Sequence, residues 1–281
     1  MLPSLRPATA RRWGLLALAM LLSLVFAVPV LWMFMTSLKT DQDLFTIPVR
    51  LWPAHGLHFG AYADIWQTGG FSQYFLNSTL VSSATTAISV ALAVLAGLGF
   101  ARYRLRGGSY LLLSVLLSQL FPLVLLVPPF YLVLRQLGLL DRLQGLIIVY
   151  ISFALPYSVW MLTGYFRSIP IDLEEAAMID GTTRLGAYVR VTLPLAAPGI
   201  AATIIYCFIL AWNEFMFAAT FIDTPALRTL PVGLEAFIDQ YGTQWNRLMA
   251  GSMVTTLPVV VLFVLLQRYL VAGLTAGALK G

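Results

Sequence analysis

Apolar residues gather into long runs along this chain, separated by short polar stretches. Crossing about 30 Å of hydrocarbon takes roughly 20 apolar residues in an α-helix. Six stretches reach that length: 13–36, 76–101, 109–134, 143–166, 199–222 and 248–270. The first contains no ionisable residue from Trp13 to Leu38. It exceeds a signal-peptide core of about 7–15 residues and ends at no small-x-small site, so it reads as a retained helix. The fifth is interrupted only by Glu214. The pattern predicts an all-α polytopic membrane protein with six transmembrane helices in one domain, 1–281. The longest outer loop, 39–73, carries Pro48, Pro53, Gly60, Gly69 and Gly70 and predicts an irregular or partly helical cap.

Composition sharpens this picture. The chain is 59% hydrophobic and 10% charged, against about 45–50% and 25% in soluble domains. A soluble enzyme, a disordered chain and a collagen-like fibre are excluded. The single cysteine, Cys207, excludes an intrachain disulfide and a cysteine-based zinc site and reads as a small core residue. His55 and His58 share the outer loop without a third ligand, so no metal site is expected.

The positions of the charges set the orientation. With the N-terminus inside, 11 of the 17 Lys and Arg residues fall on inner segments and six on outer loops. Both termini are therefore expected in the cytoplasm. Arg102, Arg104 and Arg106 read as a topology signal beside anionic lipid rather than as a nucleic-acid patch.

The inner loop 167–198 carries most of the chemistry. Pro170 suits a first helical turn, and Asp172, Glu174 and Glu175 bring negative charge to a helix N-terminus, where the dipole favours it. Gly181 ends that helix, and Thr182 is expected to cap a second one. Leu185, Tyr188 and Val189 share a face of that second helix, which Pro194 and Pro198 are expected to end. Two readings stand: an amphipathic hairpin on lipid headgroups, or a docking knob for another protein. The acidic first helix favours the protein, and Ala176 and Ala177 allow close approach.

Glu175-Ala176-Ala177, three residues, Gly181, nine residues, then Val191-x-Leu193-Pro194 resembles the EAA loop of ABC-importer permeases. That family usually has Ile where this chain has Val191. EEAAMIDG, LPLAAPGI, AWNEF and the ending GLTAGALKG resemble its carbohydrate-uptake subfamily, of the maltose/trehalose type with six spans. The resemblance implies a type I ABC-importer permease fold in the cytoplasmic (inner) membrane of a prokaryote. It also implies a second related permease, two ATPase subunits and an extracytoplasmic solute-binding protein as partners. Glu174, Glu175, Ala176, Ala177, Asp180, Gly181, Leu193 and Pro194 would then couple to the ATPase. The chain has no GxxxxGK[S/T] loop, so ATP and Mg belong to the partner subunits, and no catalytic residue is expected here.

An ionisable residue inside a span is costly and marks a functional site by default. Glu214 is such a residue; hydration near the outer boundary or pairing with a neighbouring helix is the alternative. Trp212, Asn213 and Phe215 beside it favour a sugar pathway, because sugar sites combine an aromatic face with amide and carboxylate hydrogen bonds. Gln119, in a third span kinked by Pro122, Pro128 and Pro129, lines the cavity or bonds between helices. Asn77 and Ser78 read as an interfacial cap at the start of the second span.

The expected function is import of a carbohydrate such as maltose, a malto-oligosaccharide or trehalose. A proton- or sodium-driven sugar carrier is the alternative, although Glu214 is nearly alone as an intramembrane ionisable group. A permease for another solute, such as glycerol phosphate, shares the same motifs. An intramembrane enzyme ranks last, because neither an aspartyl dyad nor a Ser–His pair can be assembled at depth.

Overall fold

The computed structural model describes residues 6–48, 50–67, 70–239 and 242–278, with side chains from residue 11 to 270 among them except that of Asp239. Gly69, Lys280 and the Arg6 side chain, which entered the loop and charge readings, lie outside the described residues, as does the last part of GLTAGALKG.

In chain order the helices are α1 (Arg6–Ser37), α2 (Asp41–Leu44), α3 (Gly60–Gln67), α4 (Phe71–Arg102) and α5 (Gly108–Leu117). Next come α6 (Leu123–Gln136), α7 (Leu143–Ser168), α8 (Asp172–Ile179), α9 (Arg184–Ala187) and α10 (Leu193–Leu195). The last four are α11 (Ala197–Trp212), α12 (Met216–Phe221), α13 (Leu230–Glu235) and α14 (Trp245–Ala278). A two-stranded ribbon, β1 (Ile238–Asp239) and β2 (Gly242–Thr243), precedes α14, with Ile238 opposite Thr243. Among the described residues four helices are long and apolar enough to cross a membrane. Two bent pairs raise that number to six if each counts as one crossing.

The chain divides into two compact units, Met1–Gly69 with Ala236–Val254 and Gly70–Glu235 with Thr255–Gly281. In the first unit, α1 leaves its apolar side chains uncovered, with Trp13 70% and Phe26 77% exposed. Water would not tolerate that surface, whereas lipid or a partner helix would. The segment 39–73 is partly helical, with α2 and α3 inside it, as its composition predicted. Lys39 is buried there, donating to the Arg50 carbonyl at 2.7 Å and standing 5.2 Å over the Trp32 ring. Asp64 pairs with Arg247 at 2.9 Å.

In the second unit α4 runs along α7, and α11 lies against both. Small residues permit the approach: a Cβ on Gly97 would stand 3.2 Å from both the Leu162 Cβ and the Thr163 amide nitrogen. Around this contact Ala93, Leu98, Leu112, Val159, Leu162 and Phe166 form one apolar cluster. A second gathers Val81, Leu146, Val149, Tyr150, Phe153, Phe217 and Phe221. Between α6 and α7, Asp141 accepts from the Asp223 and Thr224 amides at 3.0 and 2.9 Å and from the Thr224 hydroxyl at 2.5 Å. The bond from the Thr224 hydroxyl, with those from the two amides, holds its carboxyl below the usual range.

Three sequence expectations change. The third span is not one kinked rod: α5 and α6 meet at 99°. The break falls at a 3-10 turn, Ser118–Leu120, and at Pro122, while Pro128 and Pro129 lie inside α6. Pro122 lacks the N–H that would continue the ladder and confines Phe121 to extended backbone. The fifth span is broken at 213–215 between α11 and α12. Asn77 and Ser78 do not cap the second span, because α4 already starts at Phe71 after Gly70, at φ 80°. Both are buried within α4. Asn77 donates to the Ala226 and Arg228 carbonyls at 2.9 Å, and the Ser78 hydroxyl accepts from the Leu230 amide at 2.7 Å. They tie down the loop leading into α13.

Because Gly97 meets backbone as well as side chain, Gly97→Leu should force α4 away from α7. Overpacking of this kind costs about 1–3 kcal/mol, so the unfolding midpoint in detergent should fall clearly; an unchanged midpoint would contradict the close contact.

Candidate functional site

The acidic loop is built on a buried ion pair. Of the three acids in the first turn of α8, Glu174 turns inward and is 3% exposed. Its Oε1 accepts from Arg102 Nε at 2.7 Å, lies 2.7 Å from Arg102 Nη2, and accepts from the Thr192 hydroxyl at 2.6 Å. Arg102 also donates to the Phe166 and Ile169 carbonyls at 2.7 and 3.2 Å. Those oxygens sit at the C-terminal end of α7, where the Phe166 carbonyl also accepts from the Ile169 N–H at 3.2 Å. One guanidinium thus joins the end of α4, the end of α7, the start of α8 and the segment holding Thr192. A charge buried this far is tolerated only when paired and hydrogen-bonded, as here.

What Glu174 hides, the rest of α8 presents. Glu175, Ala176, Asp180 and Gly181 are exposed, Ala177 is half-buried, and Ile179 is 86% exposed. Gly181, at φ 91°, closes the helix: its N–H reaches the Met178 carbonyl, and the Thr182 N–H reaches that of Ala177. This is the Schellman arrangement, which needs a residue in the left-handed region.

The second helix differs from expectation. Thr183 caps it, accepting from the Gly186 amide at 3.1 Å, while the Thr182 hydroxyl donates to the Ala177 carbonyl at 2.6 Å. Pro194 does not end the segment either. After α9 the chain forms a π-helical turn, Tyr188–Thr192, and continues through α10 before bending 72° into α11. Pro194 and Pro198 occupy first turns, where a missing N–H is harmless. Leu185 and Val189 are exposed, Tyr188 and Leu193 are half-buried, and Pro194 is exposed. Burial, then the neighbouring Tyr103 phenol and the Glu174 charge, push the Tyr188 phenol above its ordinary value.

Glu214 occupies the break in the fifth span. Its Oε1 accepts from the Phe217 amide at 2.9 Å, and its Oε2 accepts from the Ala218 amide at 3.1 Å and the Tyr150 phenol at 2.6 Å. The carboxylate therefore caps α12, serving N–H groups that the break leaves without helical partners. Its neighbours diverge. Trp212 is buried, donates to the Thr255 carbonyl at 3.0 Å and stacks on Phe208. Asn213 is exposed and folds back on the Ile209 carbonyl at 3.0 Å, and Phe215 is 42% exposed. Gln119, exposed at the break in the third span, donates to the Phe153 carbonyl at 3.3 Å. Tyr150 and Phe153 lie three residues apart on α7, so both broken spans are pinned to one stretch of that helix.

Sequence reading missed Arg102, Thr192 and Tyr150 as structural partners. Arg102 was concealed within a run of three arginines, and nothing local distinguishes Tyr150 from other aromatics in a span. His55 bonds to Asp43 at 2.7 Å, and Cys207 is buried beside the Ser158 hydroxyl at 3.2 Å.

Glu174→Ala should leave Arg102 buried without its counter-charge, costing about 3–5 kcal/mol. Replacing both residues with Met should recover much of that loss. Thermal unfolding in detergent reads both effects; a single variant as stable as wild type would deny the pair its anchoring role.

A family model described as "binding-protein-dependent transport system inner membrane component" matches residues 89–276. The sulfoquinovosyl glycerol transport system permease protein SmoH of Agrobacterium fabrum is 39% identical, covering 90% of this chain and 88% of its own. The trehalose transport system permease protein SugB of Mycobacterium tuberculosis is also 39% identical, covering 90% and 92%. The trehalose/maltose transport system permease protein MalG of Thermococcus litoralis is 34% identical, covering 99% and 100%. Among solved structures, a chain of a bacterial ABC transporter involved in import of the acidic polysaccharide alginate matches with a TM-score of 0.76. It is 23% identical, with 95% of this chain and 99% of that chain covered, and shows a shared fold.

Proposed function

This chain belongs to the family of binding-protein-dependent transport system inner membrane components, and from that premise we propose how it works as the permease of a carbohydrate-importing ABC transporter. It is a membrane permease and not an enzyme. The observation that carries the mechanism is the exposed acidic helix α8 held at its base by the buried Arg102–Glu174 pair.

In this reading α5 with α6 makes the third crossing and α11 with α12 the fifth, for six crossings with both termini cytoplasmic. The loop 167–198 then projects into the cytoplasm, where Glu175, Ala176, Ala177, Asp180 and Gly181 form the face offered to a separate ATPase. Glu174 supports that face from behind, and Leu193 and Pro194 carry its movement into α11. Push on α8 is transmitted through a guanidinium to the ends of α4 and α7, so closure of two ATPases would move whole helices rather than a loose loop. A second permease supplies the other half of the pathway, and an extracytoplasmic binding protein delivers the sugar. Alternating access around a midplane site completes the cycle. ATP and Mg serve the partner subunits.

Along the pathway, Glu214 sets the geometry of the break, and Asn213 and Phe215 turn polar and aromatic surface outward from it. Gln119 contributes an amide from the other broken span. Trp212 supports these residues from the core. The relatives' sugars point to a di- or oligosaccharide or a sugar glycoside as substrate.

Proteoliposomes holding this chain, a related permease, the ATPase and the binding protein should accumulate sugar when ATP is supplied, and should do so despite a protonophore. Uptake by the chain alone would overturn the assignment. Glu175→Lys or Gly181→Val should cut co-purification with the ATPase about tenfold while membrane insertion persists; normal association in both variants would remove α8 from the coupling face. Glu214→Ala should lower uptake severalfold or alter sugar preference, and an unchanged profile would leave the carboxylate a purely local cap.

A further inference from the structure

Beside the anchored loop lies a cavity of about 350 Å³ whose lining includes Phe100, Tyr103, Arg104, Gly108, Ser109 and Arg167. Two cationic side chains enter it from different segments, one just after α4 and one at the end of α7. Among the described residues no carboxylate lines the cavity, and none pairs with Arg104 or Arg167. Glu174, the nearby acid, is already engaged by Arg102. Arg167 donates to the Phe100 carbonyl at 3.3 Å, which leaves its charge uncompensated. A third arginine, Arg184, stands 5.9 Å over the Tyr103 ring and adds to the positive field. No side chain caps α5, whose first residues Gly108 and Ser109 border the same space.

The surroundings identify the kind of anion. The next turns of α5 present Tyr110, Leu111 and Leu113 outward, at 79%, 55% and 53% exposure. Such a surface suits acyl chains, and basic pockets between helices on the cytoplasmic side suit anionic headgroups. We propose that this cavity binds the phosphodiester headgroup of an anionic phospholipid, with its acyl chains along α5. Two unpaired arginines select a headgroup of net negative charge over a zwitterion of the same phosphate content. Occupied, the site would fix the end of α4 directly beside Arg102, and so brace the coupling loop against the bilayer. The inference rests on the orientation proposed above, but lipid retention is read without transport, so the two ideas fail separately.

The test is native mass spectrometry of the full chain in mild detergent, supplied with phosphatidylglycerol, phosphatidylcholine or inorganic phosphate. Wild type should retain phosphatidylglycerol in preference to phosphatidylcholine, and millimolar inorganic phosphate should not displace it. Arg104→Gln with Arg167→Gln should lower retention about tenfold. Arg106→Gln removes the same charge from a neighbour outside the cavity and should retain lipid like wild type. Should the double variant fail to fold, Arg104→Gln alone, which breaks no described hydrogen bond, should still lower retention severalfold. Equal loss in the Arg104 and Arg106 variants would mean diffuse surface charge and overturn the site. Displacement by inorganic phosphate without any lipid preference would mean a free-anion site and overturn the lipid.

Discussion

A single guanidinium and its counter-charge tie four segments of this protein together. Arg102 neutralises Glu174 and satisfies two carbonyls at the end of α7, and through Glu174 it reaches Thr192. Both charged side chains are nearly sealed from solvent, at 6% and 4% exposure. In such surroundings losing either partner strands the other, so the four segments they join are held as a unit. The coupling role proposed for α8 needs an anchor of this kind at its base.

The broken spans obey the same rule of satisfied polar groups. Hydrocarbon offers no hydrogen bonds to a helix end, so interruptions survive only where protein supplies partners or the backbone faces a cavity. Glu214 supplies two acceptors to the start of α12 and binds Tyr150, while Gln119 reaches the Phe153 carbonyl from the other break. The two discontinuities thus converge on neighbouring turns of α7. They give the chain irregular backbone without orphaned amides at Phe217 and Ala218.

Much of the surface is unfinished in a way that fits a subunit. α1 leaves its apolar side chains uncovered, and Ile179, Leu185 and Val189 present bare apolar side chains on the segment 167–198. The first surface can be met by lipid or a partner helix. The second lies among Glu175, Asp180 and Arg190, which suits a mixed protein interface better than a bilayer.

The sequence by itself determined the elements whose cause is local. Run length decided which segments can span, the Lys and Arg bias set the orientation to propose, and Gly181 required the left-handed backbone that ends α8. The motif from Glu175 to Pro194 announced the family, which the relatives then established. Tertiary structure decided everything that depends on distant partners. It turned Glu174 inward and Glu175 outward although the two are adjacent. It buried Trp212 and left Asn213 exposed, and it gave Asn77 and Ser78 to a loop about 150 residues away. It also made a cap of Glu214 where the sequence showed only a charge in a span. Hydropathy records the medium each residue must tolerate, whereas hydrogen bonds and ion pairs need a particular atom opposite, and only the folded chain supplies that atom.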